Sequence, residues 1–523
     1  MNRFANFGHA VLTAQRDRDP DGTALTFAGR DRFSYAELDA RVNRRAHALI
    51  AAGLAPGERV ATLLDSPLAV VEVYLAQAKS GMVLMALNPY WDPDVLAAVV
   101  TRGAASAFVY GARFDELVAQ LRPRLPEIRR WIRVGGPGTD AVDLDDLTAL
   151  ATEDPPQIAC GGDELLALYF TSGSTGLPKA VAHTHSSALA TAERLWLDVP
   201  LGRGAVVGTG PIIWGIGFVA VAAPALAGGA RLALEESFGP DAFLESVPRE
   251  RITHISVTPS FFSELLSTDA HASADLNSLR VALLGGEPLL PAMQQRIRQR
   301  FPQLALYGYF GQTEAPYSAI ARRDLVPENV VGWARSGTAV RVVDQDGRRV
   351  VGQSGEIQIS GPHVMTGYDG QPEATDGALR DGWFIGGDLG ILDEQGRLSV
   401  LGRKTDAVLR GGRFIAPLPI EDAATGIDDV AEAVVVGLPA EASEQTMLLV
   451  VSPKLGTSLD PDKVAGALAD RLPTDDLPDL VVIADSMPHA DDGSGGRGKL
   501  LRREVRQRWG HLVEQAPEQR SRI

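Results

Sequence analysis

Thr171-Ser-Gly-Ser-Thr-Gly-Leu-Pro-Lys179 gathers small, hydroxylated and flexible residues and ends on a single cation. Gly173 and Gly176 can take backbone angles that other residues avoid and bring N–H groups close to an anion; Thr171, Ser172, Ser174 and Thr175 add hydroxyl donors. Lys179 adds a mobile charge, so the stretch reads as a phosphate cradle. The preceding Leu165-Leu-Ala-Leu-Tyr-Phe170 is apolar and of the length of a buried strand, which puts the cradle at a strand's C-terminal end, where ligands of α/β sheets bind. Two better-known loops do not fit. A P-loop needs Gly-Lys-Ser/Thr in succession, but Lys179 follows Pro178; a nucleophile elbow needs Gly two residues before its Ser, and Ser172 stands there before Ser174. On composition alone, a solvated Ser/Gly loop stays open as the alternative.

The 523 residues suffice for more than one domain and a large core, and 45% hydrophobic with 22% charged residues is an ordinary globular balance. A net charge of −16 argues against a nucleic-acid partner. One cysteine, Cys160, excludes an intramolecular disulfide, and no Cys/His set has metal spacing. With no apolar leader region after Met1 and no long apolar span, the expectation is a soluble, cytoplasmic protein without a membrane partner.

Residues 20–155 alternate helical and strand patterns, which predicts βα units on a largely parallel sheet. Ser34 with Glu37 forms a capping box for a helix that Gly53 stops; Pro67 opens another that runs through Lys79; Asp92-Pro93 has the form of a third helix start. Strands are expected at 60–64, 83–87, 107–110 and 131–134. The alternation resumes after the cradle, at 205–207, 231–233, 254–257 and 280–284, implying a second doubly wound lobe. From about residue 330 the texture turns to β hairpins at 339–344 and 355–360, a smaller β subdomain. After Gly402 an α+β segment follows, with strands at 432–436, 447–451 and 480–483 and a helix opened by Asp460-Pro461.

Four further stretches carry chemistry. Gly285-Gly-Glu-Pro288 follows a strand and presents backbone against which a flat ring can lie. Tyr309-Phe-Gly-Gln-Thr-Glu314 sets a hydroxyl beside a carboxylate, a pairing suited to a phosphate oxygen and its magnesium. Asp388 in Asp381-Gly-Trp-Phe-Ile-Gly-Gly-Asp388 is an acceptor-only group able to take two hydrogen bonds from a diol. Gly493-Ser-Gly-Gly-Arg-Gly-Lys499 formally satisfies G-x-G-x-x-G, but no strand directly precedes it, which excludes a dinucleotide fingerprint. Arg502 and Arg503 beyond it read as a solvated basic helix start.

Thr171 through Val181, with His185 after Thr184, resembles the phosphate loop of the adenylate-forming superfamily of acyl-CoA synthetases, peptide-synthetase adenylation domains and firefly-type luciferases. The other stretches are similar to that family's motifs in order, from about residue 20 to 510, and Gly355-Glu-Ile-Gln-Ile-Ser-Gly-Pro-His-Val-Met-Thr-Gly-Tyr368 with Pro372-Glu-Ala-Thr375 matches a long signature almost position for position. The resemblance implies an N-terminal domain (1–403) of two doubly wound βα lobes plus a small β subdomain, and a mobile α+β C-terminal domain (404–523). It implies that the cradle, Gly285, Gly286, Glu287, Pro288, Tyr309, Phe310 and Gly311 bind ATP, that Thr313 contacts the α-phosphate and Glu314 magnesium, and that Asp388 takes the ribose with Arg403 nearby. Lys499 resembles the C-terminal catalytic lysine. Thr405 stands at the hinge, where the family usually has Asp or Lys.

In Pro211-Ile-Ile-Trp-Gly-Ile-Gly-Phe218, Trp214 stands where many relatives carry His, beside the small Gly215; Tyr309 stands where glycine is common. With Phe218 and Tyr317 they are the acyl-pocket candidates and suggest a compact acid, although core packing explains the aromatics as well. The implied reaction is ATP-dependent formation of an acyl-adenylate from a small-molecule carboxylic acid, then transfer to an acceptor. A fused carrier domain needs roughly another 80 residues after Lys499, and 24 remain (523 − 499). The acceptor is therefore expected in trans: coenzyme A first, since Arg410-Gly-Gly-Arg413 resembles the loop lining the thiol's tunnel, with a free amine or a separate carrier protein as alternatives. A non-catalytic ATP-binding module and a luciferase-like oxygenase are the rival classes; monomer and homodimer are both open.

Overall fold

The computed structural model of the protein describes residues 6–171, 177–209, 212, 217–267, 274–410, 413–439, 445–454, 456–489 and 500–511. Two large sheets dominate. An eight-stranded sheet runs in the order Gly367–Tyr368, Lys179–Thr184, Leu165–Thr171, Val83–Ala86, Arg59–Leu63, Ala107–Gly111, Arg130–Val134 and Val142–Asp143. From Leu165–Thr171 outward the strands are parallel, with Val60 opposite both Leu84 and Ala107. Their apolar runs are buried on both faces, as a parallel sheet between helices requires.

The second sheet has fifteen strands among the described residues. Thr23–Phe27, Arg231–Leu234, Val206–Thr209, His254–Val257, Val281–Leu284 and Ala305–Gln312 form its parallel part. Ala315–Arg322 turns antiparallel, and through Gly332–Ala334 the sheet runs on into Arg397–Arg403, Trp383–Leu392, Ser354–Ser360 and Ala339–Val343. The β subdomain is thus hydrogen-bonded to the second lobe. Thr23–Phe27 also corrects the reading of 20–155 as one unit: it pairs with Arg231–Leu234, Leu25 opposite Leu232, some 200 residues away.

Local signals account for the helices. Ser34 Oγ accepts from Glu37 N while Glu37 accepts from Ser34 N, closing the capping box of Tyr35–Ala51. The helix Pro67–Lys79 ends on a fully buried lysine whose Nζ meets Asp39 Oδ1 at 2.5 Å and Asn43 Oδ1 at 2.7 Å, clamping the two helices together. Pro93–Arg102 starts at the expected proline, but Asp92 makes no side-chain cap.

From Val408 onward the strands pair only with one another among the described residues. Val430–Pro439, Gln445–Pro453 and Leu480–Ile483 form a three-stranded sheet. Alternate residues feed two cores: Val435, Met447 and Leu449 pack with helices Pro417–Thr425 and Pro461–Ala469, and Val434, Val436 and Leu448 with Val505 of Arg502–Trp509. Arg502 is not solvated as a basic helix start would be. Its guanidinium holds Glu421 at 2.5 and 2.7 Å and lies 3.6 Å from Asp406.

Candidate active site

Thr171 ends its strand opposite Lys179, which begins the antiparallel next one, so the two described ends of the cradle sequence meet at the C-terminal end of Leu165–Thr171 in the first sheet. Ser172, Gly173, Ser174, Thr175 and Gly176 lie outside the described residues. Lys179 Nζ stands 4.5 Å from the ring centroid of Tyr368, and the Tyr368 hydroxyl donates to Glu314 Oε1 at 2.8 Å. One ring thus joins the cradle's cation to the carboxylate of the second motif. Burial, then the neighbouring Glu314, push the Tyr368 phenol up, so it remains a donor. The partner for this link is the short strand Gly367–Tyr368, which pairs with Lys179–Thr184.

Thr313 is positioned from behind. His183 Nε2 donates to its carbonyl at 2.8 Å, and His183 Nδ1 lies 3.1 Å from Ser187 Oγ. Burial lowers the His183 pKa to about 4, so the ring is neutral near pH 7 and can donate to one partner while accepting from the other.

On the second sheet, Gly285 closes the strand Val281–Leu284, and a Cβ there would run into the Tyr309 ring. The aromatic lying on Gly285 is therefore this chain's own. Gly286, at φ +79°, has open space where a Cβ would stand, apart from Thr258 at 3.8 Å. Glu287 accepts from Ser260 N and Oγ, both at 3.1 Å, pinning the loop to the helix Pro259–Leu265; Pro288 is exposed. Phe310 packs against the β-subdomain core.

Asp388 is buried and bracketed. Arg403 Nε lies 2.9 Å from its Oδ1 and Gln312 Nε2 donates to its Oδ2 at 2.5 Å, while Arg403 Nη1 donates to Gly386 O at 2.7 Å. The three side chains meet because Asp388 and Arg403 face each other across adjacent strands and Gln312 ends a third. Thr405 is exposed in the turn that follows. Lys499, Trp214 and Gly215 lie outside the described residues. Phe218 is buried in the main core with its ring edge-on to Tyr74 at 5.4 Å.

Tyr317 is buried with its ring 4.4 Å from that of Tyr309. Gln312, His183 and the Tyr368 ring are contributors to which sequence reasoning gave no role. Gln312 and Tyr368 sit inside quoted motifs, whereas nothing local marks His183, whose partner is 130 residues away.

Magnesium fits this arrangement. Among the described residues no three His, Cys, Asp or Glu side chains gather, so a dedicated protein cage is absent there. Glu314 is a buried carboxylate with only Oε1 engaged by Tyr368, and magnesium in nucleotide enzymes is commonly held by one or two carboxylates plus substrate phosphates.

Two α/β sheets, with Lys179 and Glu314 joined through Tyr368 and a bracketed Asp388 on the second, are the arrangement of an α/β enzyme of the adenylate-forming class. The sequence matches the family described as AMP-binding enzyme over residues 12–369 and its C-terminal domain over 419–494. The chain belongs to this family, and is an AMP-forming ligase. It is 33% identical over 507 residues to a feruloyl-CoA synthase of Amycolatopsis sp., covering 94% of this chain and 96% of the relative. Among solved structures it is similar to ATP-bound MatB from Rhodopseudomonas palustris (27% identity, TM-score 0.87, 97% and 99% covered). It is also similar to the amide bond synthetase McbA from Marinactinospora thermotolerans (27% identity, TM-score 0.85, 97% and 99% covered).

Proposed function

We propose that the protein joins a carboxylic acid to coenzyme A in two steps at one cleft. In the first, a carboxylate oxygen attacks the α-phosphorus of ATP and pyrophosphate leaves, giving the acyl-adenylate. In the second, the thiol sulfur attacks the acyl carbonyl, AMP leaves and the thiol proton is released. The observation that carries the reading is the link Lys179–Tyr368–Glu314, which ties a cationic phosphate cradle to the one buried carboxylate of the Thr313-Glu314 motif.

Each residue then has a task. The cradle's amides and hydroxyls, with Lys179, hold the phosphates. Thr313, fixed through its carbonyl by His183, offers its hydroxyl to the α-phosphate. Glu314 holds magnesium, which when bound offsets charge on the phosphate oxygens. Asp388 takes the ribose hydroxyls, with Arg403 and Gln312 orienting it. Lys499, brought by the C-terminal domain, stabilises charge building on the α-phosphate and the leaving group. We place the boundary of that domain at 403/404, where the fifteen-stranded sheet ends, and the turn about Thr405 as its pivot. The reaction is cytoplasmic in this reading, where ATP and coenzyme A are at hand.

A second acceptor is kept because an amide bond synthetase is among the structural neighbours. The test forms the adenylate with the best acid and adds coenzyme A, a pantetheinylated carrier protein or an amine panel in parallel, following AMP release and product mass. A thioester of coenzyme A is expected. Amide from an amine with no thioester would transfer the second step to the alternative and leave the first standing.

A further inference from the structure

Two parts of the nucleotide site hang from one helix end. The helix Pro93–Arg102 closes at Gly103, and two arginines act there. Arg102 Nη1 donates to Pro178 O at 3.3 Å, just before Lys179, and Arg59 Nη1 donates to Gly103 O at 2.9 Å. The Arg59 guanidinium also forks onto Asp369, Nη1 to Oδ2 at 2.7 Å and Nη2 to Oδ1 at 2.8 Å. Asp369 directly follows Tyr368. A fork of two parallel bonds fixes direction as well as distance, which a single ammonium does not.

The rest of the Tyr368 segment is tied down between the two sheets. Met365 N donates to Glu314 O at 2.8 Å, Thr366 N to Ala182 O at 2.9 Å and Asp369 N to Ala180 O at 2.8 Å. Tyr368 N donates to Thr375 Oγ1 at 2.9 Å, and Thr375 lies against Gly367, φ +152°, where a Cβ would run into its side chain. These bonds hold the backbone, and the fork anchors the far end of the segment. Between them the Tyr368 ring is held 4.5 Å from Lys179 Nζ, with its hydroxyl on Glu314 Oε1 at 2.8 Å. The Arg59 and Asp369 side chains are 28% and 18% exposed, and a partly exposed ion pair adds little to stability. Stability alone therefore gives no reason for a two-pronged geometry beside Tyr368, whereas aiming that ring does.

We propose that Arg59 and Asp369 are positioning residues for the nucleotide site. Their pairing sets the Tyr368 ring, Tyr368 in turn holds Glu314 through Oε1, and the gain in ATP affinity that magnesium brings depends on this alignment. Both residues act through Tyr368. The inference rests on the assignment of Glu314 to magnesium in the reaction proposed above.

The test is calorimetry of ATP binding to the full chain, with magnesium and with a chelator in its place, for the parent, Tyr368→Phe, Arg59→Lys and the double variant. Tyr368→Phe keeps the ring that faces Lys179 and removes only the hydroxyl. The magnesium-dependent gain should fall by about tenfold in Tyr368→Phe, the usual effect of losing a partner that orients a metal's ligand, and by about threefold or more in Arg59→Lys. In the double variant it should be no smaller than in Tyr368→Phe alone, because the fork then has no hydroxyl left to aim. ATP binding without magnesium should match the parent throughout. Asp369→Asn removes the fork from the other side and should repeat the Arg59→Lys result, so the proposal stays testable if Arg59→Lys does not fold. A role in the fold alone would weaken ATP binding equally with and without magnesium, or add the two losses in the double variant. Either result, or parent-like binding in both Arg59→Lys and Asp369→Asn, overturns the assignment and leaves the ligase reading intact. A parent whose ATP affinity gains nothing from magnesium would instead remove Glu314 from the metal, and this inference with it.

Discussion

Two regions of the molecule treat their buried side chains differently, one around Asp388 and Glu314 and one around Tyr309 and Tyr317. In the first region the described groups assigned to the nucleotide have protein partners: Asp388 with Arg403 and Gln312, Glu314 Oε1 with Tyr368, Thr313 O with His183. In the second region a buried tyrosine of positive φ, Tyr317, packs its ring on Tyr309 and sets its hydroxyl beside those of Tyr309 and Ser256. The first arrangement is built to receive a ligand that never changes, so its groups are aimed in advance by neighbours on the same sheets. The second is packed rather than bracketed, with the Tyr309 ring filling the space above Gly285 and lying against Tyr317.

The largest expected effect falls at the reacting centre. Lys499→Ala and Glu314→Gln should each lower acid-dependent pyrophosphate release by about a hundredfold or more, on the order of 3 kcal/mol of lost charge stabilisation, with unfolding curves unchanged for Lys499→Ala. Release at the parent rate in either variant removes that residue from the reaction. Asp388→Ala comes next: ATP binding by calorimetry should weaken by about 1–3 kcal/mol, with the order of preference among acids preserved. A change in acid preference there would break the separation between the two regions.

Tyr309→Gly tests the separation from the other side. It should admit longer acids, since its ring fills the space above Gly285 and against Tyr317, and should leave the ATP requirement near that of the parent. An unchanged chain-length profile in folded protein would make Tyr309 a core residue only. The smallest effect lies away from the cleft. Burial, with Glu328 nearby, raises the Asp422 carboxyl from 3.8 to about 6. Between those values the folded chain keeps a proton that the unfolded chain has lost, so stability falls as pH rises through that window and the penalty is complete above about 6. Asp422→Asn should therefore raise Tm at pH 7.5, with the gain vanishing towards pH 4; a gain independent of pH would contradict the shift.

Strand and helix positions were legible because each is written locally. Val281–Leu284 and Leu480–Ile483 are apolar runs of strand length, and Ser34-Glu37 and Pro67 mark helix starts that the structure places as expected. Pairing was not legible. Thr23–Phe27 lies within the stretch read as βα units of one sheet, but its partner is Arg231–Leu234, and no local pattern encodes a choice between two apolar sheet edges. The site divides the same way. Motif residues such as Asp388 could be named from their strings, whereas His183 and the paired state of Arg502 depend on contacts 130 and 81 residues distant. Tyr317 could be named as a pocket candidate, but its left-handed backbone goes with a bulge at Gly311 and the bond from Arg335, which only the folded sheet brings beside it.

The claim on which all of this depends is that the acid's own oxygen is transferred to AMP. Incubating the full chain with ATP, magnesium, coenzyme A and an acid labelled with ¹⁸O in its carboxylate, then weighing the nucleotide and phosphate products, tests it directly. The account predicts AMP carrying one ¹⁸O, unlabelled pyrophosphate and an acyl thioester. ADP with ¹⁸O in orthophosphate, the signature of an acyl-phosphate route, or AMP without label, would contradict it.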